Sequence, residues 1–171
     1  MSHSQSISPI CATLLAMACS FAHAQPLVQA FQKPVWRTYI FVSTSMPRRN
    51  LVALARDSAT TKAILVFRGG FEAKTGGLEK LQRLALDITS ECCGNKEVAW
   101  EINPKLFDTF KVSAAPTFVI VQGVGTDPKS YSMVSGDMEL PNALKFFAQN
   151  SVIPELRSRA KDLYQAAFSN E

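Results

Sequence analysis

Residues of types that do chemistry are few in this chain, and they fall in two places. Cys92 and Cys93 are adjacent. Adjacent cysteines have three uses: a vicinal disulfide in a very tight ring, a bridge to another chain, or a pair of reactive thiols. An oxidising compartment disfavours thiols left free, and a position after a helix C-terminus raises a thiol's pKa. A structural or intermolecular role is therefore expected over catalysis. The second place is Ser45-Met46-Pro47-Arg48, followed by Arg49. Ser45 as a nucleophile would need a base. The two histidines, His3 and His23, both lie in an N-terminal segment expected to be removed, which leaves no Ser-His or Cys-His pair and excludes most zinc sites. A serine at a helix start is ordinarily a cap, worth ~1 kcal/mol. Met46 is adaptable and apolar, suited either to packing or to covering a peptide. Arg48 and Arg49 fall in a first helical turn, where the macrodipole disfavours cations by ~0.3–1 kcal/mol each. Two readings stay open: both arginines are simply solvated and screened, which is favoured slightly, or they face an acidic partner. No catalytic residue, metal or cofactor is expected.

The segment expected to be removed is residues 1–24, a signal peptide. Residues 7–21 are apolar and rich in Ala, Leu, Met and Cys, and Ala22-His23-Ala24 is an A-x-A cleavage signal. The apolar run is shorter than the ~20 residues that span a bilayer. The rest of the chain is one ordinary domain with room for a real core, expected to be soluble in the exported compartment. All 18 basic and 14 acidic residues follow Ala24, so the net charge of +4 belongs to the mature chain. Apart from Arg48-Arg49 the basic residues are scattered, and no basic run suggests nucleic acid.

The elements that must position these residues follow from periodicity. Residues 25–37, with Pro26 and Pro34, read as an extended N-terminal arm that adds an edge strand. Residues 38–43 are a β-favouring apolar strand. It runs straight into a helix over 47–60, with Pro47 at the first helical position. A strand opening directly into a helix is where α/β proteins usually place working residues. A second apolar strand spans 62–67, with the look of a strand covered on both faces. A helix over 78–90 has a stripe of Leu78, Leu81, Leu84, Ala85 and Ile88, and Cys92-Cys93-Gly94 ends it in a turn. A strand over 98–102 leads to Asn103 as an N-cap, Pro104 as first helical residue, and a short helix to 110 with Leu106, Phe107 and Phe110 inward. Strands over 117–122 and 130–134 make a hairpin. A helix over 140–149 turns Leu140, Ala143, Leu144 and Phe147 inward. A final helix over 154–168 carries Ile153, Leu156, Ala160, Leu163 and Ala167 at steps of three and four. It packs on the parent domain or, as the second option, binds a partner. The alternation favours a layered α/β fold with a mixed sheet. The boundaries are 1–24 signal, 25–37 arm, 38–150 domain and 151–171 C-terminal helix.

The stretch from Asn103-Pro104 to Ala115-Pro116-Thr117-Phe118-Val119 resembles the thioredoxin superfamily, in which a short Asn-Pro helix delivers a Pro-Thr pair to a central strand. In that superfamily the proline is cis and faces a Cys-x-x-Cys helix start. Pro116 matches the proline, while Ser45-Met46-Pro47-Arg48 holds the Cys-x-x-Cys positions with no thiol at either end. The resemblance implies a thioredoxin-like mixed sheet flanked by helices, with an inserted helix and an extra C-terminal helix. It also implies that the backbone before Pro116 pairs with an extended peptide.

Within that superfamily the chain resembles the F-type TrbC family of conjugative pilus assembly proteins. The resemblance covers residues 38–149 and rests on Phe41-Val42-Ser43-Thr44-Ser45-Met46-Pro47, Ile64-Leu65-Val66-Phe67-Arg68-Gly69, and Asn103-Pro104 through Pro116-Thr117. It implies a periplasmic protein of a type IV secretion system, needed to build the pilus, with a TraW-like protein as partner. Pilin itself is a second candidate. The expected groove is formed by Ser45, Met46, Pro47 and Arg48 facing Ala115, Pro116 and Thr117, and it binds without turning over substrate. Two other readings are open: a thiol-disulfide isomerase or reductase working through Cys92 and Cys93, and a general chaperone with many clients.

Overall fold

The structure is a computed structural model that describes residues 35–69, 77–123 and 127–169. The expected signal peptide and residues 25–34 of the expected arm lie outside the described residues. The first strand begins earlier than its hydrophobic run. β1 spans Trp36–Val42, so Trp36 and Arg37 belong to the sheet and not to the arm. Their backbones pair with Gln122 and Val121, which gains hydrogen bonds that no side-chain pattern announces.

Along the chain follow α1 (Arg48–Thr61), β2 (Ile64–Phe67), α2 (Gly77–Cys93), β3 (Ala99–Ile102), α3 (Pro104–Thr109), β4 (Thr117–Gln122), β5 (Tyr131–Ser135), α4 (Leu140–Asn150) and α5 (Pro154–Phe168). The strands form one sheet in the order β3-β2-β1-β4-β5. β1, β2 and β3 are parallel neighbours, with Tyr39 opposite Ile64 and Ile64 opposite Ala99. β4 runs antiparallel to β1, and β5 antiparallel to β4. The crossovers α1 and α2 supply the long connections that parallel pairing requires. This mixed sheet with flanking helices is a thioredoxin-like α/β fold.

Strand side chains alternate between two cores, as the pleat dictates. Ile40, Val42, Leu65, Phe67, Phe118 and Ile120 face α1, α2, α4 and α5. Tyr39, Phe41, Val66, Val119 and Val121 face the other way, against Phe107, Phe110 and Val112 in and after α3. Among the described residues one sheet face therefore carries four helices and the other a single short one. The thin layer is closed by aromatic packing: Phe107 meets Phe41 edge-on at 4.8 Å, and Tyr131 meets Phe110 at 5.0 Å.

Two helices differ from their expected form. α2 runs on to Cys93, so both cysteines lie in its last turn and not beyond it. Its inward residues are Leu81, Ile88 and Cys93, whereas Leu78 is 59 % exposed. α5 packs on α4, with Leu156, Ala160 and Leu163 buried in the main core. Its apolar stripe is thus covered by the domain and is not left for a partner.

Candidate functional site

The site is built where β1 ends. Val42 is the last strand residue, and residues 43–46 form a tight turn. In it the Met46 amide donates to the Ser43 carbonyl (3.1 Å), and the Ser43 amide donates to Met46 Sδ (3.4 Å). Met46 thus folds back over its own turn and packs on the main core while still lining the surface. Ser45 is not a cap. Its hydroxyl pairs with that of Ser43 at 2.8 Å, and no side chain caps α1. Pro47 stands just outside the helix, with ψ 135°. Its carbonyl receives the Asn50 and Leu51 amides at 2.9 and 3.3 Å and so opens α1. A proline here has no N–H to leave unpaired.

The opposing wall comes from the segment between α3 and β4. The Asn103 side chain accepts the Leu106 amide at 3.2 Å and caps α3. After α3, Lys111 takes a left-handed conformation, φ 52°, which reverses the chain towards β1. The peptide bond between Ala115 and Pro116 is cis. The Thr117 hydroxyl donates to the Ala114 carbonyl (2.7 Å) and pairs with the Ser135 hydroxyl (2.6 Å). The Gly136 amide donates to the Pro116 carbonyl at 3.1 Å. Thr117 and Pro116 are therefore tied to the sheet. The amide and carbonyl of Ala115 form no hydrogen bond among the described residues.

These two walls enclose one cleft of about 650 Å³, lined by Ser45, Met46, Pro47, Ala115 and Pro116 together. Its floor is apolar, with Val42, Phe67, Leu81, Phe107 and Val112. Gly69 closes one side at φ 84°, a conformation that side chains oppose. Two expected groove residues are elsewhere. Arg48 turns away to α2, where its guanidinium meets the Glu91 carboxylate at 2.8 Å. Thr117 is fully buried and acts as a brace beneath the turn. In their place stand Arg49, Asn50, Arg68 and Asp137. Arg68 Nη2 donates to the Val112 carbonyl at 2.9 Å, and its guanidinium lies 4.9 Å from the Phe107 ring centre. Asn50 donates to Asp137 at 3.1 Å. Arg68 follows a strand that ends at the same sheet edge as β1. That register, set by Val42 opposite Phe67, is the signal that could have found it.

Cys92 and Cys93 are joined to each other by a disulfide. Neither lines the cleft. Among the described residues no group of His, Cys, Asp and Glu is arranged to hold a metal ion. No helix there is long and apolar enough to cross a membrane.

What the site offers is a shape: a trough of mixed polar and apolar lining, a backbone at Ala115 that is unpaired among the described residues, and two arginines in the lining. No match was found among curated proteins or among solved structures. A family model, described as type-F conjugative transfer system pilin assembly protein, matches residues 40–147. That match takes in both walls of the cleft and the whole sheet except the first residues of β1, and the chain belongs to this TrbC family of conjugative pilus assembly proteins.

Proposed function

We propose that this chain is a periplasmic, non-catalytic assembly factor of a conjugative type IV secretion system. It serves F-type pilus assembly by holding a partner protein in the cleft between the Met46 turn and the Ala115-Pro116 turn. The observation that carries this reading is that Pro47 and Pro116, far apart in the chain, line one cleft, and no cysteine lines it with them. Ala115, whose amide and carbonyl are unpaired among the described residues, also lines it, and free backbone of this kind can be joined by an extended peptide as an added strand. A TraW-like protein is the first candidate partner and pilin the second. The cysteines lie outside this cleft, so thiol exchange would need a separate site at the end of α2.

The test is a pull-down from periplasmic extract of cells carrying the conjugation machinery. Wild type is compared with Met46→Asp and Ala115→Asp, and circular dichroism is used to show that each variant is folded. Capture of one pilus-assembly protein by wild type, lost in both variants, is the expected result. Equal capture by folded variants would overturn the groove reading. Capture of many unrelated unfolded proteins would instead make the protein a general chaperone.

A further inference from the structure

The cleft carries charged side chains of both signs. Arg49 and Arg68 both line the larger hollow. Among the described residues neither forms an ion pair, since the one ion pair there is Arg48 with Glu91. Arg49 also stands in the first turn of α1, which has no acidic residue and no side-chain cap. The carboxylate at that helix start is Asp137, which accepts from Asn50 at 3.1 Å. Past Met46 and Pro116 the trough continues into a second hollow of about 290 Å³. The two hollows share Met46, Arg49, Asn50, Pro116 and Asp137, and the second adds Glu139 and Asn142. Arg68 therefore belongs to the larger hollow alone and Glu139 to the smaller alone, while Arg49 and Asp137 line both.

Resting on the groove reading above, we propose that the occupant is an extended, mainly apolar segment of the partner protein with a single acidic side chain. That carboxylate sits between Arg49 and Arg68, and small apolar residues cross Met46 and Pro116. A planar guanidinium presents paired donors to a carboxylate, and Arg68 keeps donors to spare beyond its one bond to Val112. The trough is open past Pro116, so the segment runs through it and supplies a side-chain carboxylate, not a chain terminus. Asp137, which lines both hollows, and Glu139, which lines the second alone, repel further acid, which selects one acidic position over an acidic run.

The test uses the full-length mature chain and short fluorescent peptides, blocked at both ends. All have the same Ala and Val frame, with Glu, Gln or Lys at the centre, and binding is read as anisotropy at low salt. The Glu peptide is expected to bind about tenfold more tightly than the Gln peptide, and the Lys peptide more weakly still. Arg49→Gln, an exposed change, should narrow the Glu-over-Gln preference to about threefold, and adding Arg68→Gln should abolish it. Equal binding of Glu and Gln peptides to wild type, or a preference that survives in the folded double variant, would overturn the inference. So would failure of every peptide to bind. If Met46→Asp still abolishes partner capture in those cases, only the acidic segment is wrong. If Met46→Asp has no effect either, the groove reading itself fails.

Discussion

At the scale of single residues, two charged or polar groups beside the cleft have structural roles despite their position in sequence. Arg48 pairs with Glu91, but both side chains are about half exposed (51 % and 49 %). Water and salt screen such pairs, so their worth is commonly below ~1 kcal/mol. Arg48→Ala should lower unfolding free energy by no more than that in urea titration, with partner capture unchanged. Thr117 is the opposite case, fully buried with two hydroxyl contacts. Its partners, Ala114 and Ser135, are both exposed and can turn to water once it is gone. Thr117→Val should therefore cost about the net value of a hydrogen bond, ~0.5–1.5 kcal/mol each, and not the full penalty of a stranded buried group. A loss above ~4 kcal/mol would mean that the brace under the cis turn holds far more than its own contacts.

At the scale of elements, α5 and the end of α2 decide two questions that residue types left open. Leu156 is completely buried in the main core. Leu156→Ala should cost ~2–5 kcal/mol, while Val152→Ser, at a position 90 % exposed, should stay within ~0.5 kcal/mol. Thermal melts of both variants check that α5 is a structural helix. At the end of α2 the disulfide joins neighbours in sequence. Loop-closure stabilisation grows with the length of chain enclosed, reaching ~3 kcal/mol for a 15-residue loop, and here almost none is enclosed. Cys92→Ser with Cys93→Ala should shift stability by less than ~1.5 kcal/mol. On the binding reading, neither the wild type nor this variant should reduce insulin in the presence of a thiol. Turnover by wild type that the variant lacks would instead establish an oxidoreductase.

At the scale of the whole molecule, the sheet couples two cores of unequal thickness. Phe107 closes the thin side against Phe41 and beneath Arg68, and Leu144 lies in the thick side. Neighbouring residues of β1 and β4 serve opposite cores, so neither core can be lost while the other keeps its strands. Phe107→Ala and Leu144→Ala should each cost ~2–5 kcal/mol. Both should move one and the same cooperative transition when followed by far-UV circular dichroism and by tryptophan fluorescence. Separate transitions for the two variants would show that the layers fold independently. Because Phe107 also floors the cleft, its loss should weaken partner capture even below the melting temperature, which Leu144→Ala should not do.

The sequence by itself determined the order of the elements, because hydrophobic period, proline and capping signals are local. β4 and α5 have the bounds their patterns indicate, and α4 buries the four residues its spacing selects. Asn103-Pro104 opens α3 with the hydrogen bond its residue types call for. The two prolines could be paired from motif alone, since each sits at a recognisable junction. Tertiary structure decided what depends on partners distant in sequence. Strand pairing drew Trp36 and Arg37 into the sheet, and the path of α2 past α1 took Arg48 out of the cleft by offering it Glu91. The register of β1 against β2 placed Arg68 in the cleft with Arg49. A side chain's direction is set by the backbone that carries it, but its occupation is set by whatever the fold brings within reach.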